Sequence, residues 1–471
     1  METQNLHRWQ KFFSPRHIAV IGATTKNQWF ANCLLNARQM GKDVHFYPVN
    51  PKADEIFGIP AYPSIASLPK EIDFAVIMVK AVLVQDVLRQ LEDRSITHVL
   101  LVASGFAEIG QDGASLQSEI QDYCRIHGIL LLGPNCLGFM NPSLSISIFA
   151  GASVEGLPSA GPIGVVAQSG ASSEIIVTKF NKKALGISLY VTTGNEAIIT
   201  AEDCLEYMIH DGRTKVVTAF MEGFRNIPRL VLLAKEAARR GIPIVLIKVG
   251  RSSKAKQAAQ SHTGAMAGND AVLDGFFRQT GIIRADSIEE LVETASLLAR
   301  CPLPAGAGFG ICTLSGGLCG MYADLCSAYG IELPSLAPET KARLKELLPD
   351  FAQPDNPLDL TGAGFLHGMD EIVRTLIADP NLDMIAPLSI APAHDDDNLA
   401  HNLNDSFLSC LASSPKPLVP IVFREVNDYA RSYYLNHGIP YIEQPELGFK
   451  AVKHLMEYAA FQRRIKGVIG G

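Results

Sequence analysis

Residues 17–28 of this chain read HIAVIGATTKNQ, and the interpretation of the whole fold starts from this stretch. Five residues rich in Ile and Val predict a buried strand, and the glycine that follows predicts a tight turn. A helix is expected directly after the turn. A strand, a glycine turn and a helix N-terminus place backbone N–H groups where a phosphate can bind. The segment therefore predicts the first unit of an α/β domain with a site for a phosphorylated ligand.

Short apolar runs alternate with longer helical patterns along the whole chain, which is typical of parallel sheets covered by helices. The first block contains HIAVIG (17–22), VHFYPV (44–49), FAVIMV (74–79), HVLLVA (98–103) and ILLL (129–132). The second block contains IGVVA (163–167), ISLYV (187–191), KVVTAF (215–220) and PIVLIKV (243–249). The third block contains FGICTL (309–314), MIAPLSI (384–390), LVPIVF (418–423) and a helix near 447–464.

Two breaks separate these blocks. The stretch NPSLSISIFAGASVEGLPSAGP (141–162) reads as a loop rich in Gly, Pro and Ser, and CPLPAGAG (301–308) reads as a second connection. Together they predict three domains, over residues 1–150, 155–300 and 305–471. The second and third blocks resemble each other, because each opens with a strand that runs into a Ser-Gly turn.

The composition excludes several classes of protein. Of the 471 residues, 47% are hydrophobic and 19% are charged, which excludes disorder as the main state. A net charge of -7 argues against binding to nucleic acid. The sequence shows neither a signal peptide nor an apolar run that spans a bilayer, so we expect a cytoplasmic protein with no membrane segment. The nine cysteines form no CxxC pair, and we expect Cys312, Cys319 and Cys326 to fill one helix face.

Candidate ligand-binding residues follow the strands of the first block, where the carboxyl ends of parallel strands meet at one edge. Lys52 offers a point charge to a phosphate. The block lacks the later glycines of a dinucleotide fingerprint and an acidic residue for the ribose, so NAD is poorly supported. The candidates are Gly22, Ala23, Thr24, Asn50, Lys52, Ser104, Gly105 and Asn135.

The segment SHTGAMAG (261–268) carries the strongest candidate for chemistry, His262. Its small neighbours leave the imidazole open, as a nucleophile that meets two substrates requires. Oriented by a carboxylate, a neutral imidazole can attack phosphorus or carry a phosphoryl group. Glu222 in MEG and Glu196 in TGNEA each follow a strand of the same block, and either is a candidate to orient it. By position alone, a solvated histidine and two surface carboxylates are the alternative.

Two Ser-Gly turns each lead into a helix, and their helix N-termini would stabilise the negative charge of a phosphohistidine. One turn is Gln168, Ser169 and Gly170, and the other is Ser315, Gly316 and Gly317. The acidic segment AHDDDN (393–398) is expected to be a solvated loop, and no metal site is assigned to the chain.

A set of longer motifs follows in fixed order: SPRHIAVIGA, the NPK turn, LLGPNCLG, VAQSGA, TGNEA, MEG, SHTGAMAG and NPLDLTG. With these motifs, nearly the whole chain resembles the α subunit of ADP-forming acyl-CoA synthetases of the acetate–CoA ligase type, relatives of succinyl-CoA synthetase. The resemblance implies a Rossmann-like CoA-binding domain followed by two flavodoxin-like, doubly wound domains. It also implies that His262 carries phosphate, that Glu222 holds this histidine, and that both helix starts contact the phosphate.

The implied reaction converts a carboxylic acid, ATP and CoA to acyl-CoA, ADP and phosphate through an acyl phosphate. In the family, ATP and Mg²⁺ bind an ATP-grasp domain on a separate β subunit or an added C-terminal half. This sequence contains no Walker-type motif, so we expect a β partner and a hetero-oligomer. The identity of the small carboxylic acid cannot be read from the sequence.

The chain departs from the family in one loop, and two other functions compete with the ligase. After IGA the run reads TTKNQWFAN, where the family commonly has another glycine-rich step and where Trp29 and Phe30 are bulky. The main alternative is a non-catalytic regulatory protein that binds CoA or acyl-CoA, although such a protein needs no phosphate carrier. The other is an NAD-dependent oxidoreductase, which rests only on the first block.

Overall fold

The computed structural model describes residues 3–26, 28–41, 44–152, 156–252, 254–255, 270–361, 368–411 and 413–469. The chain divides into two compact units, Met1–Leu291 and Val292–Gly471. In both units parallel strands alternate with helices, which confirms the α/β class predicted from the sequence. The division into three domains stays a prediction, because the first unit contains both the first and the second block.

The first block forms a five-stranded parallel sheet in the order β2-β1-β5-β6-β7. Its elements are α1 (Thr3–Phe12), β1 (His17–Ile21), α2 (Gln28–Met40), β2 (His45–Val49), β3 (Glu55–Ile56), β4 (Ile59–Pro60), β5 (Phe74–Ile77), α3 (Val84–Glu92), β6 (His98–Leu101), α4 (Gln111–Ile126) and β7 (Leu130–Leu132). The central strands are buried along their length because Ile, Val, Ala and Phe point to both covered faces. In register, Ala19 of β1 lies opposite Tyr47 and Ala75.

The second block forms a seven-stranded sheet in the order β14-β13-β12-β10-β11-β8-β9. Its elements are β8 (Gly138–Asn141), β9 (Ile146–Phe149), β10 (Ala160–Ala167), α5 (Gly170–Lys182), β11 (Ile187–Thr192), α6 (Ala201–His210), β12 (Val216–Met221), α7 (Ile227–Arg239), β13 (Ile244–Lys248), α8 (Asp270–Thr280), β14 (Ile283–Arg284) and α9 (Ile288–Arg300). From β14 to β11 the strands are parallel.

The hairpin β8–β9 occupies much of the stretch that the sequence suggested was a loop. β8 pairs antiparallel with β11, so residues from the predicted connection extend the second sheet. Ile146, Ile148 and Phe149 are fully or almost fully buried there. The alternation in SISIF (145–149) was the available signal, and the surrounding Gly, Pro and Ser residues obscured it.

The second unit contains β15 (Phe309–Thr313), α10 (Gly316–Tyr329), α11 (Pro338–Leu347), β16 (Leu358–Asp359), α12 (Met369–Ala378), β17 (Met384–Ala386), β18 (Leu388–Ser389), α13 (Asn398–Leu411), β19 (Ile421–Val422), α14 (Asp428–Asn436) and α15 (Pro445–Ile469). β15 pairs in parallel with β16 and β17, and β18 pairs in parallel with β19. The expected C-terminal helix is present and is longer than predicted.

The expectation that three cysteines share one helix face is wrong for Cys312. Cys312 lies in β15, whereas Cys319 and Cys326 lie in α10, because the strand ends at Thr313 and the chain turns before the helix begins. Cys312 and Cys326 are buried, as small apolar residues would be. In the described part of the chain, none of the helices combines the length and apolar character needed to cross a bilayer.

Candidate functional site

The carboxyl edge of the first sheet brings together the turns after β1 and β2. Asn50 donates from Nδ2 to the Ala23 carbonyl at 2.8 Å, and its Oδ1 accepts from the Lys52 N–H at 2.9 Å. The Thr24 hydroxyl accepts from the Lys26 N–H at 3.2 Å. The first five predicted rim residues, from Gly22 to Lys52, therefore lie on two neighbouring turns that are tied to each other.

Gly22 is required at this edge for both conformation and space. Its φ of +82° is in the left-handed region, which favours glycine. A Cβ at this position would lie 2.6 Å from Cγ1 of Val79. Without a side chain, the turn after β1 can pack directly against the end of β5.

The turn containing Ser104 and Gly105 follows β6 and is held by an acid that the sequence analysis missed. Glu108 Oε1 accepts from the N–H groups of Gly105 at 2.5 Å and Phe106 at 3.2 Å. Burial would raise the pKa of Glu108, but hydrogen bonds from Asn195 and the backbone hold it below its ordinary value. The signal was an acidic residue directly after a glycine turn, which is too common to single out.

Asn135 connects the edge of the first sheet to the second sheet. Its Nδ2 donates to Oδ1 of Asn195 at 3.3 Å, and the Asn195 amide donates to Glu108 Oε2 at 2.5 Å. The Asn195 N–H also donates to the Pro134 carbonyl at 2.9 Å. The turn that follows β11 is therefore docked on the predicted ligand-binding edge of the first sheet.

Gln168, Ser169 and Gly170 form the turn between β10 and α5. The Ser169 hydroxyl accepts from the Ser172 N–H at 3.4 Å, which caps the helix. The side-chain amide of Gln168 does not cap α5. It reaches the next turn of the sheet, where Oε1 accepts from the Glu222 and Gly223 N–H groups at 2.5 and 2.9 Å.

Glu196 is enclosed by the protein, and both of its carboxylate oxygens are engaged. Oε1 accepts from the Thr193 hydroxyl and the Ala201 N–H, each at 2.9 Å. Oε2 accepts from Arg225 Nε at 3.3 Å. Burial raises the pKa of Glu196 to about 7; the Gln168 hydrogen bond opposes this, and nearby Glu202 adds to it. The side chain is occupied with internal partners, which makes it a poor candidate to orient a histidine.

Glu222 differs from Glu196 because it is only partly buried. It directly follows β12, and its main chain is held on two sides. The Gln168 amide accepts from its N–H, and Lys248 Nζ donates to its carbonyl at 2.8 Å. Of the two predicted orienting acids, Glu222 is the one that lies on a fixed backbone and is not fully enclosed, although its Oε2 atom is shielded from solvent.

Two residues that the sequence analysis did not identify complete this edge. Glu202 is fully buried, and its Oε1 accepts from the N–H groups of Arg225 and Asn226 at 2.8 and 3.0 Å. Arg225 also donates from Nη2 to the Asn195 carbonyl at 2.8 Å. The sequence did not reveal either residue because their partners lie 23 and 30 positions away in the chain.

His262 lies outside the described residues, so its expected position is not tested by the structure. The neighbouring α8 is described, and Asp270 at its start accepts from Arg284 Nη2 at 2.7 Å. In the second unit, Ser315 precedes α10, which begins with Gly316 and Gly317. The described side chains contain no group of three His, Cys, Asp or Glu that could hold a metal ion.

Two family models match the chain. Residues 16–142 match a CoA binding domain, and residues 160–298 match the succinyl-CoA ligase like flavodoxin domain. The two matched ranges carry the two sheet edges described above. They also support the predicted Rossmann-like and flavodoxin-like architectures.

Curated relatives match over most of the chain. The α subunit of acetate–CoA ligase [ADP-forming] I from Pyrococcus furiosus is 31% identical, over 97% of this chain and 99% of that subunit. Acetate–CoA ligase [ADP-forming] I from Archaeoglobus fulgidus is 34% identical, over 80% of this chain. The chain spans about half of the length of this second relative, 54%.

The fold is also similar to a solved structure. Acetyl-coenzyme A synthetase 1 of Ca. Korarchaeum cryptofilum, determined in complex with phosphate and ADP, is 26% identical with a TM-score of 0.84. The similarity covers 98% of each chain.

Proposed function

This chain belongs to the family of ADP-forming acyl-CoA ligases, and we propose that it is the subunit that binds CoA and carries the phosphoryl group. The observation that carries the proposal is the contact between the two sheet edges. Asn135 on the CoA-binding-domain edge and Asn195 on the flavodoxin-like edge are hydrogen-bonded within one compact unit. A thiol carrier and a phosphoryl carrier must meet the same acid, and this contact supports two proposed sites that lie side by side.

The proposed chemistry begins at His262. The Glu222 carboxylate accepts a hydrogen bond from one ring nitrogen, so the other nitrogen keeps its lone pair for phosphorus. The phosphoryl group passes from ATP to His262 and then to a carboxylate oxygen of the acid. The resulting acyl phosphate has a good leaving group, so the CoA thiolate attacks its carbonyl carbon, the acyl–oxygen bond breaks and phosphate leaves. Backbone N–H groups at the start of α5, including that of Gly170, stabilise the phosphoryl charge.

The edge of the first sheet fits a ligand with several phosphates. Lys26, Lys52 and Lys80 are all exposed and follow β1, β2 and β5, which are neighbours in the sheet. Three lysines at one edge suit the diphosphate and the 3′-phosphate of CoA as point charges. At the family departure, Phe30 is buried against Phe46 and Phe57, whereas Trp29 is 37% exposed.

The nucleotide is assigned to a partner. We propose an ATP-grasp β subunit that binds ATP with Mg²⁺ and forms a hetero-oligomer with this chain in the cytoplasm. Two Pyrococcus furiosus relatives that are covered over 99% of their length carry the name subunit alpha. The names of other relatives include acetate, trans-feruloyl-CoA and 4-hydroxybutyrate, which supports a small carboxylic acid as the substrate class.

A reconstitution experiment tests this function. The purified chain alone should bind CoA but should produce no acyl-CoA from ATP, CoA and a panel of carboxylic acids. The complex isolated from native cells through a tag on this chain should produce acyl-CoA, ADP and phosphate in equal amounts. Steady acyl-CoA formation by the chain alone would remove the need for a partner. A complex that binds CoA but acts on no acid would instead indicate a regulatory binder.

A further inference from the structure

The turn formed by residues 222–226, EGFRN, is referred to below as the 222–226 turn. It joins β12 to α7 and begins with Glu222, the proposed partner of His262. Exposed turns are usually the mobile part of an α/β edge. This turn is instead held at both ends by buried side chains from other strands and helices.

The Gln168 side chain holds the first end of the turn. It is 9% exposed and forms three hydrogen bonds with the main chain of two consecutive residues, and a further one with the Glu196 side chain. Oε1 accepts from the Glu222 and Gly223 N–H groups, and Nε2 donates to the Gly223 carbonyl at 3.0 Å. An amide is well suited to this position because it offers an acceptor and a donor from one planar group.

The second end of the turn is held by Glu202, which accepts from the Arg225 and Asn226 N–H groups. Lys248 adds a hydrogen bond to the Glu222 carbonyl from the opposite neighbouring strand, β13. The backbone of the turn is therefore fixed on three sides, while Glu222 as a residue is partly exposed and its Oε2 atom is shielded from solvent. Preorganisation of this kind lowers the cost of placing a catalytic carboxylate.

We propose that Gln168 is a positioning residue for Glu222, which it acts on through the main chain of the 222–226 turn. This inference rests on the proposed role of Glu222 in phosphoryl transfer. It reassigns the Gln168 side chain, because the sequence alone grouped it with the phosphate-binding helix starts. The phosphate is left to the backbone of Ser169 and Gly170.

Gln168→Glu tests this role because the charge of the new side chain depends on pH. A neutral carboxylic acid can still donate to the Gly223 carbonyl, whereas an ionised carboxylate only accepts and is repelled by that oxygen. Burial at position 168 and the neighbouring Glu196 carboxyl group raise the pKa of the new glutamate. We therefore expect phosphoenzyme formation at least about tenfold below wild type at about pH 8, recovering to within about threefold at about pH 6. A purely structural loss would lower CoA binding in parallel, so CoA binding is measured at both pH values and should stay at the wild-type level.

The measurement uses the complex isolated through a tag on this chain, incubated with [γ-³²P]ATP and Mg²⁺. The initial rate of acid-labile label on this chain is divided by the wild-type rate at each pH, which removes any pH dependence that the two complexes share. Gln279→Glu is the matched control, because it makes the same chemical change at a position that is exposed on α8. It should match wild type at every pH.

Gln168→Met supplies a second, non-titrating variant. It should lose label by a similar factor at all pH values while CoA binding is unchanged, and it decides the question if Gln168→Glu does not fold. If the wild-type complex is labelled and both variants are labelled at the same rate, the positioning role is overturned and the proposed function stays intact. An equal loss in Gln168→Glu at both pH values would also overturn it. Absence of label from the wild-type complex would instead refute the proposed function and this inference with it.

Discussion

The turns that follow β11 and β12 flank β10 on the same sheet edge, and each carries one glutamate that the sequence offered as a partner for His262. In the structure they differ in what surrounds the acid. Glu196 is 4% exposed and is bound by Thr193, Ala201 and Arg225. Glu222 is partly exposed, and the neighbouring groups hold its main chain.

The difference shows that two glutamates at the same sheet edge can have different roles. An acid whose oxygens are filled by internal donors stabilises the turn that contains it. An acid on a fixed backbone that is not fully enclosed can interact with a substrate or with another catalytic residue. Glu196 has a φ of +57°, which costs energy for a residue with a side chain and indicates that its surroundings impose its position.

The largest expected effect is on the rate of phosphoenzyme formation, which should distinguish Glu222 from Glu196. Glu222→Gln should lower the rate of phosphoenzyme formation by about a thousandfold, because the neutral amide no longer stabilises a charged imidazole. Glu196→Gln should lower it by less than about threefold, since the amide fills the same volume away from the chemistry. The measurement is the rate of ³²P incorporation into the complex. Equal losses of this rate in both variants would contradict the different roles assigned to the two acids.

The free energy of unfolding should depend more on Glu196 than on Glu222, which is the reverse of the order for activity. Glu196→Ala leaves Arg225 and the Ala201 N–H without their acceptor in a buried site, so the free energy of unfolding should fall by about 3 kcal/mol. Glu222→Ala should cost about half as much or less, because the hydrogen bonds that hold its turn are made by its main chain and are kept in the variant. Urea unfolding of the two variants checks both values. A larger loss for Glu222→Ala would contradict the assignment.

The pH dependence of the free energy of unfolding is a separate test of the role of Glu196. Its pKa is raised from 4.5 to about 7 in the folded chain, so the folded state binds more protons than the unfolded state between these values. The free energy of unfolding should therefore decrease as pH rises through this window. Glu196→Gln cannot titrate and should show a flatter profile, measured by urea unfolding at a series of pH values. A profile as steep as that of wild type would assign the dependence to other groups.

Arg225→Lys should have the smallest effect. Arg225 joins the two turns, since it donates to both the Glu196 carboxylate and the Asn195 carbonyl. Lysine keeps the charge but cannot reproduce both bonds with a planar fork, so we expect a loss of about 1 kcal/mol in unfolding free energy. Arg239→Lys on the exposed end of α7 is the control and should be neutral. A neutral Arg225→Lys would show that the bridge between the turns contributes little.

Much of the fold followed from sequence because buried parallel strands read as continuous apolar runs. The predicted α/β class, with its Rossmann-like and flavodoxin-like parts, is confirmed. The hairpin β8–β9 was missed because its short alternating strand lies among turn-forming residues. The placement of Cys312 on a helix was wrong because a repeat of seven residues does not reveal where a strand ends.

The candidate site was harder to predict, for a physical reason. The turns could be located, since turns at one sheet edge must converge. The roles of Gln168, Glu108 and Glu202 could not, because their partners are main-chain N–H groups of distant segments. Such contacts depend on side-chain direction in three dimensions and leave no pattern in spacing. The assignment of His262 stays a prediction.

Identification of the phosphorylated residue tests the account most directly. The complex is incubated with ATP and Mg²⁺, and the chain is digested and mapped by mass spectrometry under conditions that preserve acid-labile phosphate. We predict one modified residue, His262, with loss of all label in His262→Ala and unchanged binding of CoA. Phosphate on a different residue, or label that persists in His262→Ala, would contradict the assignment of the phosphoryl carrier.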